Sequence, residues 1–361
     1  ERRDVCVVDG LVDCGVGRSA RTIDVTDCIV APGYVDLQVN GAAGIDLTSE
    51  PERLWEVAAA LLRFGVTSFL PTIITSPPEV VARALGVLAA GPPAGWVGAR
   101  PLGLHLEGPM VAPRQVGAHS AQHIVAPSRD LVAGWSCQAG VAMVTLAPEL
   151  PGASEVITEL ASRGVVVAAG HSDASGDEAQ AAVDVGLAAV THLFNAMAPL
   201  HHRESGLAAA VLGELDIPAS LISDGMHVSP QMVRVAWRAL GADRCILVSD
   251  AAAPLGAPPG RYVLAGRPVI SDGRSCRTEE GGLAGGIVGL DGCVRNLLAM
   301  TGCTAAQAIG AATATPARLL GRADLGSLEP GAFGDVVVLD ADLQVVMSLV
   351  AGNVVYRRGH R

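Results

Sequence analysis

The chain of 361 residues contains no lysine, so all 25 of its basic residues are arginines. This excludes functions that need a lysine amine: Schiff-base catalysis, a phosphate-binding GK[ST] loop, and a carbamylated lysine that bridges two metal ions. Basic residues are also outnumbered by 36 acidic ones, which gives a net charge of −11. We therefore expect neither nucleic acid nor an anionic membrane as a partner, because both bind through basic surfaces.

Aromatic residues are also scarce, at 3 % of a chain that is 50 % hydrophobic. The core must therefore consist of Ala, Val, Leu and Ile, which favours helices packed on parallel strands. The eight cysteines never form a CxxC pair. We expect them to be reduced, to lie in the core, and to belong to a cytoplasmic protein. No apolar run approaches the roughly 18 residues that a membrane-spanning helix requires, and the start shows no recognisable targeting signal.

Short apolar runs that end in a polar residue alternate with Ala-, Leu- and Arg-rich stretches of helical spacing. Eight such runs occur, at 28–40, 66–73, 100–108, 141–149, 165–173, 188–197, 219–227 and 245–251. Alternation of strand and helix is typical of a parallel sheet, and eight repeats predict a TIM (β/α)8 barrel of the α/β class. We expect this barrel to span residues 33–321, with its chemistry at the carboxyl ends of the strands.

The two ends of the chain differ from this pattern. Residues 1–32 and 322–361 contain strand-like runs with little helical period. Because chain termini often lie close together, we predict that both ends form one small β-sandwich domain. The Gly- and Pro-rich stretch 252–285 is expected to form a β-hairpin excursion after the eighth strand, followed by helices at 289–302 and 304–321.

Polar groups recur where the predicted strands end. Because the carboxyl ends of barrel strands share one rim, we expect these side chains to converge. They are His105, Glu107, His171, His192, Asp224, His227 and Asp250.

Three of these residues form a set suited to a metal. Glu107, His171 and His192 offer one carboxylate and two imidazoles, which leaves a fourth position on a tetrahedral Zn²⁺ for water. Fe²⁺, Co²⁺ or Mn²⁺ could use the same donors. Asp250, close to that water, would take its proton and hand it to a leaving group. His105 is interpreted as a structural or supporting group and Glu149 as part of a turn.

Ordered sequence blocks identify a family that this chain resembles. LHLEGP (104–109), THLFNAM (191–197) and DGMH (224–227) in that order are the most specific. Further blocks include PGYVDLQVNG (32–41), GAH (117–119), AGHSDA (169–174), VSDAAAPLG (248–256) and TATPARLLG (313–321). Together they resemble the N-acetylglucosamine-6-phosphate deacetylases of the amidohydrolase superfamily, from about residue 28 to the end.

The resemblance implies one divalent metal on Glu107, His171 and His192, with Asp250 as acid and base. It also implies a set of contacts with an amino-sugar phosphate substrate. The phosphate would be bound by Asn195, Ala196, His227 and Arg203, with the arginine reaching across a homodimer interface. His119 would lie near the sugar and the acetyl carbonyl, and residues Leu283, Ala284 and Gly285 would line the acetyl pocket.

Two departures from the family pattern affect the function. The first strand carries Gln38 and Asn40 where many amidohydrolases have a histidine pair, so we expect a single metal per chain. The lysine that commonly precedes GAH is replaced by Gln115 and Val116, which removes a positive charge near the substrate. The leading function is hydrolysis of the acetyl group of N-acetyl-D-glucosamine 6-phosphate. The alternatives are a related N-acetylated amino sugar, such as the galacto epimer or a biosynthetic intermediate, and a non-catalytic sugar-phosphate-binding protein.

Overall fold

The computed structural model describes residues 4–13 and 21–359. Within these residues the chain forms twenty β-strands and nine α-helices. The strands are β1 (Cys6–Val8), β2 (Leu11–Asp13), β3 (Ile29–Pro32), β4 (Tyr34–Val39), β5 (Gly41–Ala42), β6 (Ile45–Asp46), β7 (Val66–Ile74), β8 (Arg100–Pro101), β9 (Leu104–Glu107), β10 (Val141–Leu146), β11 (Val166–Ala169), β12 (Ala189–Val190), β13 (Ala219–Leu221), β14 (Cys245–Leu247), β15 (Gly260–Leu264), β16 (Arg267–Ser271), β17 (Cys276–Thr278), β18 (Val336–Leu339), β19 (Val345–Val350) and β20 (Asn353–Arg357).

The helices follow the strands in alternation through most of the chain. They are α1 (Leu54–Leu61), α2 (Pro78–Ala90), α3 (Ala153–Ser162), α4 (Gly176–Asp184), α5 (Leu207–Gly213), α6 (Pro230–Arg244), α7 (Leu290–Thr301), α8 (Ala305–Gly310) and α9 (Ala314–Leu319). Short 3-10 turns span Pro51–Arg53, Leu62–Phe64 and Ala121–His123. None of the helices in the described residues combines the length and apolar character that crossing a bilayer requires.

Eight parallel strands form the barrel in the order β4, β7, β9, β10, β11, β12, β13, β14. Strands β4, β7 and β10 are buried along their whole length, as expected for a parallel sheet covered by helices. The ring closes where the backbone amides of Asn40 and Gly41 both donate to the carbonyl oxygen of Ala251, at 2.7 and 3.0 Å. The predicted TIM barrel is therefore confirmed, and its eight strands lie within the predicted runs or extend one residue beyond them.

The structure differs from the predicted helices at two places. Helix α5 was not predicted, because the stretch that contains it, RESGLAAAVL (203–212), is short and polar at its start. The single helix predicted at 304–321 is two helices, since Thr313 leaves helical geometry with φ −133°. The break places Pro316 in the first turn of α9, where its missing N–H removes no internal hydrogen bond.

Both chain ends contribute to the antiparallel sheets outside the barrel. Strand β3 pairs with β18 in the four-stranded sheet β20-β19-β18-β3, and β1 pairs with β2 in a separate hairpin. The amide of Val12 donates to the carbonyl oxygen of Ala332 at 2.8 Å, which connects that hairpin to the C-terminal segment. The division into residues 1–32, 33–321 and 322–361 stays a prediction.

The predicted excursion at 252–285 is an antiparallel sheet of three strands, β15, β16 and β17. Its first turn is fixed to the barrel, because the amide of Ala265 donates to Asp46 Oδ2 at 2.8 Å and that of Gly266 to Ser49 Oγ at 3.1 Å. Leu264 and Thr278 of this sheet face the cavity described below. The excursion therefore supplies one wall of the candidate site.

The cysteine prediction holds only in part. Cys245, Cys276 and Cys293 are buried, but Cys137 is exposed because it lies on the loop between β9 and β10, outside the core. Cys14 lies outside the described residues.

Candidate functional site

The predicted rim residues lie where four barrel strands end. Glu107 is the last residue of β9, while His171, His192 and Asp250 follow β11, β12 and β14 by two or three residues. The latter three adopt left-handed backbone angles, with φ of +50°, +31° and +47°. Such angles are uncommon for residues other than glycine and cluster at functional sites. The turn away from each strand brings these side chains into one buried cluster.

The nitrogen and oxygen donors of the cluster are separated by little more than 3 Å. His192 Nε2 lies 2.8 Å and His171 Nε2 3.2 Å from Glu107 Oε1, and the two nitrogens are 3.2 Å apart. Tetrahedral ligands at the usual Zn–N distance are about 3.3 Å from one another. The three side chains therefore already have a spacing that fits a divalent metal.

A hydrogen bond behind His171 supports the same conclusion. His171 Nδ1 is 2.8 Å from the carbonyl oxygen of Gln115, which can only accept, so Nδ1 donates. In the neutral ring this leaves the lone pair on Nε2, the atom that faces Glu107. His192 Nδ1 is buried without a hydrogen-bond partner in the described residues. The donor set of one carboxylate and two imidazoles suits Zn²⁺ and similar cations.

Glu107 is held ionised although it is buried. Burial opposes its charge, but the contacts with the imidazoles of His119, His171 and His192 outweigh that effect and lower the pKa of Glu107. Burial likewise opposes protonation of His192, yet the hydrogen bond and charge of Glu107 raise the pKa of His192 overall. A negative carboxylate at the centre of three imidazoles is an electrostatic site for a cation.

The first barrel strand positions the two site carboxylates. Gln38 Nε2 donates to Glu107 Oε1 at 3.0 Å, and Asn40 Nδ2 donates to Asp250 Oδ1 at 2.8 Å. The two amides that replace a histidine pair thus act here as hydrogen-bond donors to carboxylates. The alternation of Asp36, Gln38 and Asn40 in an otherwise apolar buried strand is the sequence signal that indicates this shared inward face.

Asp250 is placed to exchange protons. Burial, and then the nearby charge of Glu107, raise the pKa of Asp250 to about 6. A carboxylate with a pKa near the working pH is suited to accept and return a proton. The side chain lines the cavity together with Glu107 and His192.

His119 is a further imidazole in the cluster. Its Nε2 lies 3.6 Å from Glu107 Oε2, and its Nδ1 is 2.8 Å from Thr75 Oγ1. The donor atoms of Glu107, His119 and His171 lie within 4.8 Å of one another, so His119 is a possible fourth donor. Burial lowers the pKa of His119 to about 4, which keeps the ring neutral. The shorter distances to Glu107 favour His171 and His192 as the ligands.

A cavity of about 330 Å³ opens above the cluster, within the range of roughly 300–1,000 Å³ typical of small-molecule sites. Residues predicted to bind substrate line it at several places: His119, Asn195, Ala196, His227, Leu283 and Gly285. Two predicted substrate-binding residues do not. The first is Ala284, whose methyl group is fully buried in an apolar cluster with Val269 and Cys276 and does not line the cavity.

Arg203 is the second exception. It is exposed on the segment before α5 and is not among the residues that line the cavity of its own chain. His227, by contrast, lines the cavity and is fixed by its neighbour, since its Nδ1 lies 2.7 Å from Asp224 Oδ2. Burial opposes the charge of Asp224, but hydrogen bonding with His227 outweighs it and lowers the pKa of Asp224.

Two other predicted groups have structural positions. His105 is fully buried, with Nε2 2.8 Å from Thr145 Oγ1, and burial lowers its pKa to about 4. Glu149 accepts hydrogen bonds from Ser172 Oγ at 2.7 Å and the amide of Asp173 at 2.6 Å. Glu149 therefore supports the loop that follows His171 and does not face the cavity.

Sequence comparison identifies the class of protein. A profile of the amidohydrolase family matches residues 29–356. The chain is 39 % identical over 376 residues to human N-acetylglucosamine-6-phosphate deacetylase, covering 99 % of this chain and 87 % of that protein. It is also 38 % identical over 330 residues to an N-acetylgalactosamine-6-phosphate deacetylase of Escherichia coli O157:H7, covering 90 % and 87 %.

Structure comparison agrees with the sequence. The solved structure of a mutant N-acetyl-D-glucosamine-6-phosphate deacetylase from Mycobacterium smegmatis, in complex with N-acetyl-D-glucosamine 6-phosphate, matches with a TM-score of 0.89 and 32 % identity. The match covers 97 % of this chain and 94 % of that one. The fold and the site define this chain as an enzyme of the amidohydrolase family. Within that family, it belongs to the N-acetylglucosamine-6-phosphate deacetylases.

Proposed function

We propose that this enzyme hydrolyses the acetyl group of N-acetyl-D-glucosamine 6-phosphate, giving D-glucosamine 6-phosphate and acetate. The observation that carries the proposal is the buried cluster of Glu107, His171 and His192 with Asp250 on the same cavity. A binding module would need no proton-transfer carboxylate beside a metal site. The named activity of the relatives supplies the substrate class.

One divalent metal would be held by Glu107, His171 and His192. Zn²⁺ fits these donors best, and Fe²⁺, Co²⁺ or Mn²⁺ are the other candidates. When bound there, such an ion lowers the pKa of a water molecule and polarises a carbonyl group. A second site on β4 is not expected, because Gln38 and Asn40 already donate their amide hydrogens to carboxylates.

The side chains of this chain would perform the proton transfers. Asp250 accepts the proton of the attacking water and delivers it to the amine as the bond to the acetyl carbon breaks. Asn40 holds Oδ1 of Asp250 in place during both steps. His119 contacts the acetyl carbonyl, and Leu283 and Gly285 form the adjoining wall. We also infer that the backbone around Ala284 shapes this acetyl pocket.

The phosphate would bind in the same cavity as the metal, against the wall that contains Asn195 and Ala196. It would contact Asn195, the backbone of Ala196 and the His227 imidazole, which line the cavity. Arg203 completes this site in a homodimer, reaching in from the partner subunit. Its exposed position outside the cavity of its own chain is compatible with that role. We further propose a cytoplasmic location, with which the reduced cysteines of the described residues agree.

Substitution of Arg203 by alanine should weaken substrate binding through the phosphate. We expect Arg203→Ala to raise KM for N-acetylglucosamine 6-phosphate about tenfold or more, since a charge-assisted pair with phosphate is lost. KM for unphosphorylated N-acetylglucosamine should change little. Steady-state kinetics with both sugars measures this, and equal effects on the two would show that Arg203 does not contact the phosphate.

The galacto epimer is the second candidate substrate. It is favoured by the similarity to the N-acetylgalactosamine-6-phosphate deacetylase and by the absence of lysine beside the GAH block. Measuring acetate release from both 6-phosphates by the same preparation tests the proposed function. A kcat/KM for the galacto substrate that exceeds that for the gluco substrate would make the alternative the correct one.

A further inference from the structure

We propose that Arg114 is a specificity residue that binds the substrate's phosphate from within the same chain. The inference deepens the proposed function and rests on it. Among the described residues that line the cavity, Arg114 carries the one permanent positive charge. The remaining charged groups there are the carboxylates of Glu107 and Asp250 and several imidazoles.

The loop that carries Arg114 is fixed against the wall predicted to bind phosphate. The carbonyl oxygen of Gln115 accepts from His171 Nδ1 at 2.8 Å, and the amide of Ser172 donates to the carbonyl oxygen of Ala196 at 3.1 Å. A Cβ atom on Gly117 would lie 3.9 Å from Cβ of Ala196. Arg114 is therefore attached to the same part of the cavity as Asn195 and Ala196.

The guanidinium of Arg114 is available for a new partner. Its side chain is 88 % exposed, and its Nε is 3.8 Å from Asp173 Oδ2, which is beyond hydrogen-bond length. Asp173 Oδ1 accepts instead from Gln115 Nε2 at 2.6 Å. The pair with Asp173 is therefore a long, exposed ion pair without a hydrogen bond, and Arg114 can exchange it for an anion at little cost.

The charge and shape of the group fit a phosphoryl anion. A planar guanidinium offers paired N–H donors that match two phosphate oxygens. A phosphoryl group must approach a protein of net charge −11 and a cavity that contains two carboxylates, so a local cation is required. In the proposed pose the buried cluster takes the acetyl group, and the phosphate lies towards the exposed Arg114, which lines the same cavity.

Kinetics of Arg114→Ala with phosphorylated and unphosphorylated N-acetylglucosamine tests this inference. We expect KM for the 6-phosphate to rise at least about tenfold, with KM for the free sugar and metal content unchanged. Arg114→Lys should recover part of the loss because it restores the charge without the paired donors. Arg129→Ala is the matched control, since Arg129 is also exposed and 3.9 Å from a carboxylate, Glu159, but does not line the cavity.

Each outcome has a distinct meaning. An unchanged KM in Arg114→Ala, or an equal change for both sugars, would overturn the inference alone while the unmodified enzyme still releases acetate. An equal loss in Arg129→Ala would also overturn it, because a general change of surface charge would then explain the effect. Absence of acetate release by the unmodified protein would overturn the proposed function and this inference with it.

Discussion

Replacing Asp250 by asparagine should abolish turnover while metal and substrate still bind. An amide of nearly the same shape can form hydrogen bonds, but it cannot accept the water proton or deliver it to the amine. The backbone should tolerate the change, because asparagine adopts the left-handed angle of φ +47° readily. We expect kcat to fall at least about 10³-fold, or roughly 4 kcal/mol, with KM near that of the unmodified enzyme.

Single-turnover and steady-state kinetics, together with metal analysis, measure this effect. The matched control is Asp243→Asn, a change of the same kind at a carboxylate whose side chain is 95 % exposed. If Asp250→Asn kept more than about a tenth of the original kcat, a loss below 1.4 kcal/mol, another group would have to be the base. A parallel loss of metal would instead make Asp250 a ligand.

His171→Ala should lose both metal and activity but keep the fold. The imidazole lies at the end of a strand, above the apolar core, so its removal opens the cluster without removing core packing. Alanine is less suited than histidine to the φ of +50°, which we expect to cost about 1 kcal/mol of stability. Elemental analysis should give one metal equivalent for the unmodified chain and far less for the variant.

Two further histidine variants assign the ligand set. His192→Ala should lose metal as His171→Ala does, whereas His119→Ala should keep it and lose activity, because the shorter contacts of Glu107 are with His171 and His192. His123→Ala, on the 3-10 turn outside the cavity, is the control. Metal loss in His119→Ala alone would assign that residue in place of His192, and collapse of the fold in His171→Ala would give it a structural role.

The sequence was sufficient for the barrel and for the residues that lie at its strand ends. Parallel strands buried on both faces appear in the sequence as continuous apolar runs. A polar residue at the end of such a run is expected to lie at the rim of the barrel. This is why Glu107, His171, His192 and Asp250 could be predicted to converge. The left-handed backbone angles at three of these positions could not be predicted, because histidine and aspartate also occur in many turns with ordinary backbone angles.

Contacts made by loops were harder to predict than those at strand ends. The position of Arg114 depends on the hydrogen bonds that Gln115 makes with His171 and Asp173, and these partners are more than fifty residues away in the chain. The period of two in Asp36, Gln38 and Asn40 could have indicated their shared inward face, but which carboxylate each amide contacts depends on the closed barrel. The proposed role of Arg203 in phosphate binding depends on a second subunit.

The central claim is that a single bound metal, together with Asp250, removes acetate from N-acetylglucosamine 6-phosphate. Its most direct test is acetate release by the metal-depleted protein as a divalent metal is added back in measured amounts. The account predicts no activity without metal, a linear rise, and a plateau at one equivalent per chain. Acetate release that persists in the depleted protein, or a plateau reached only at two equivalents, would contradict it.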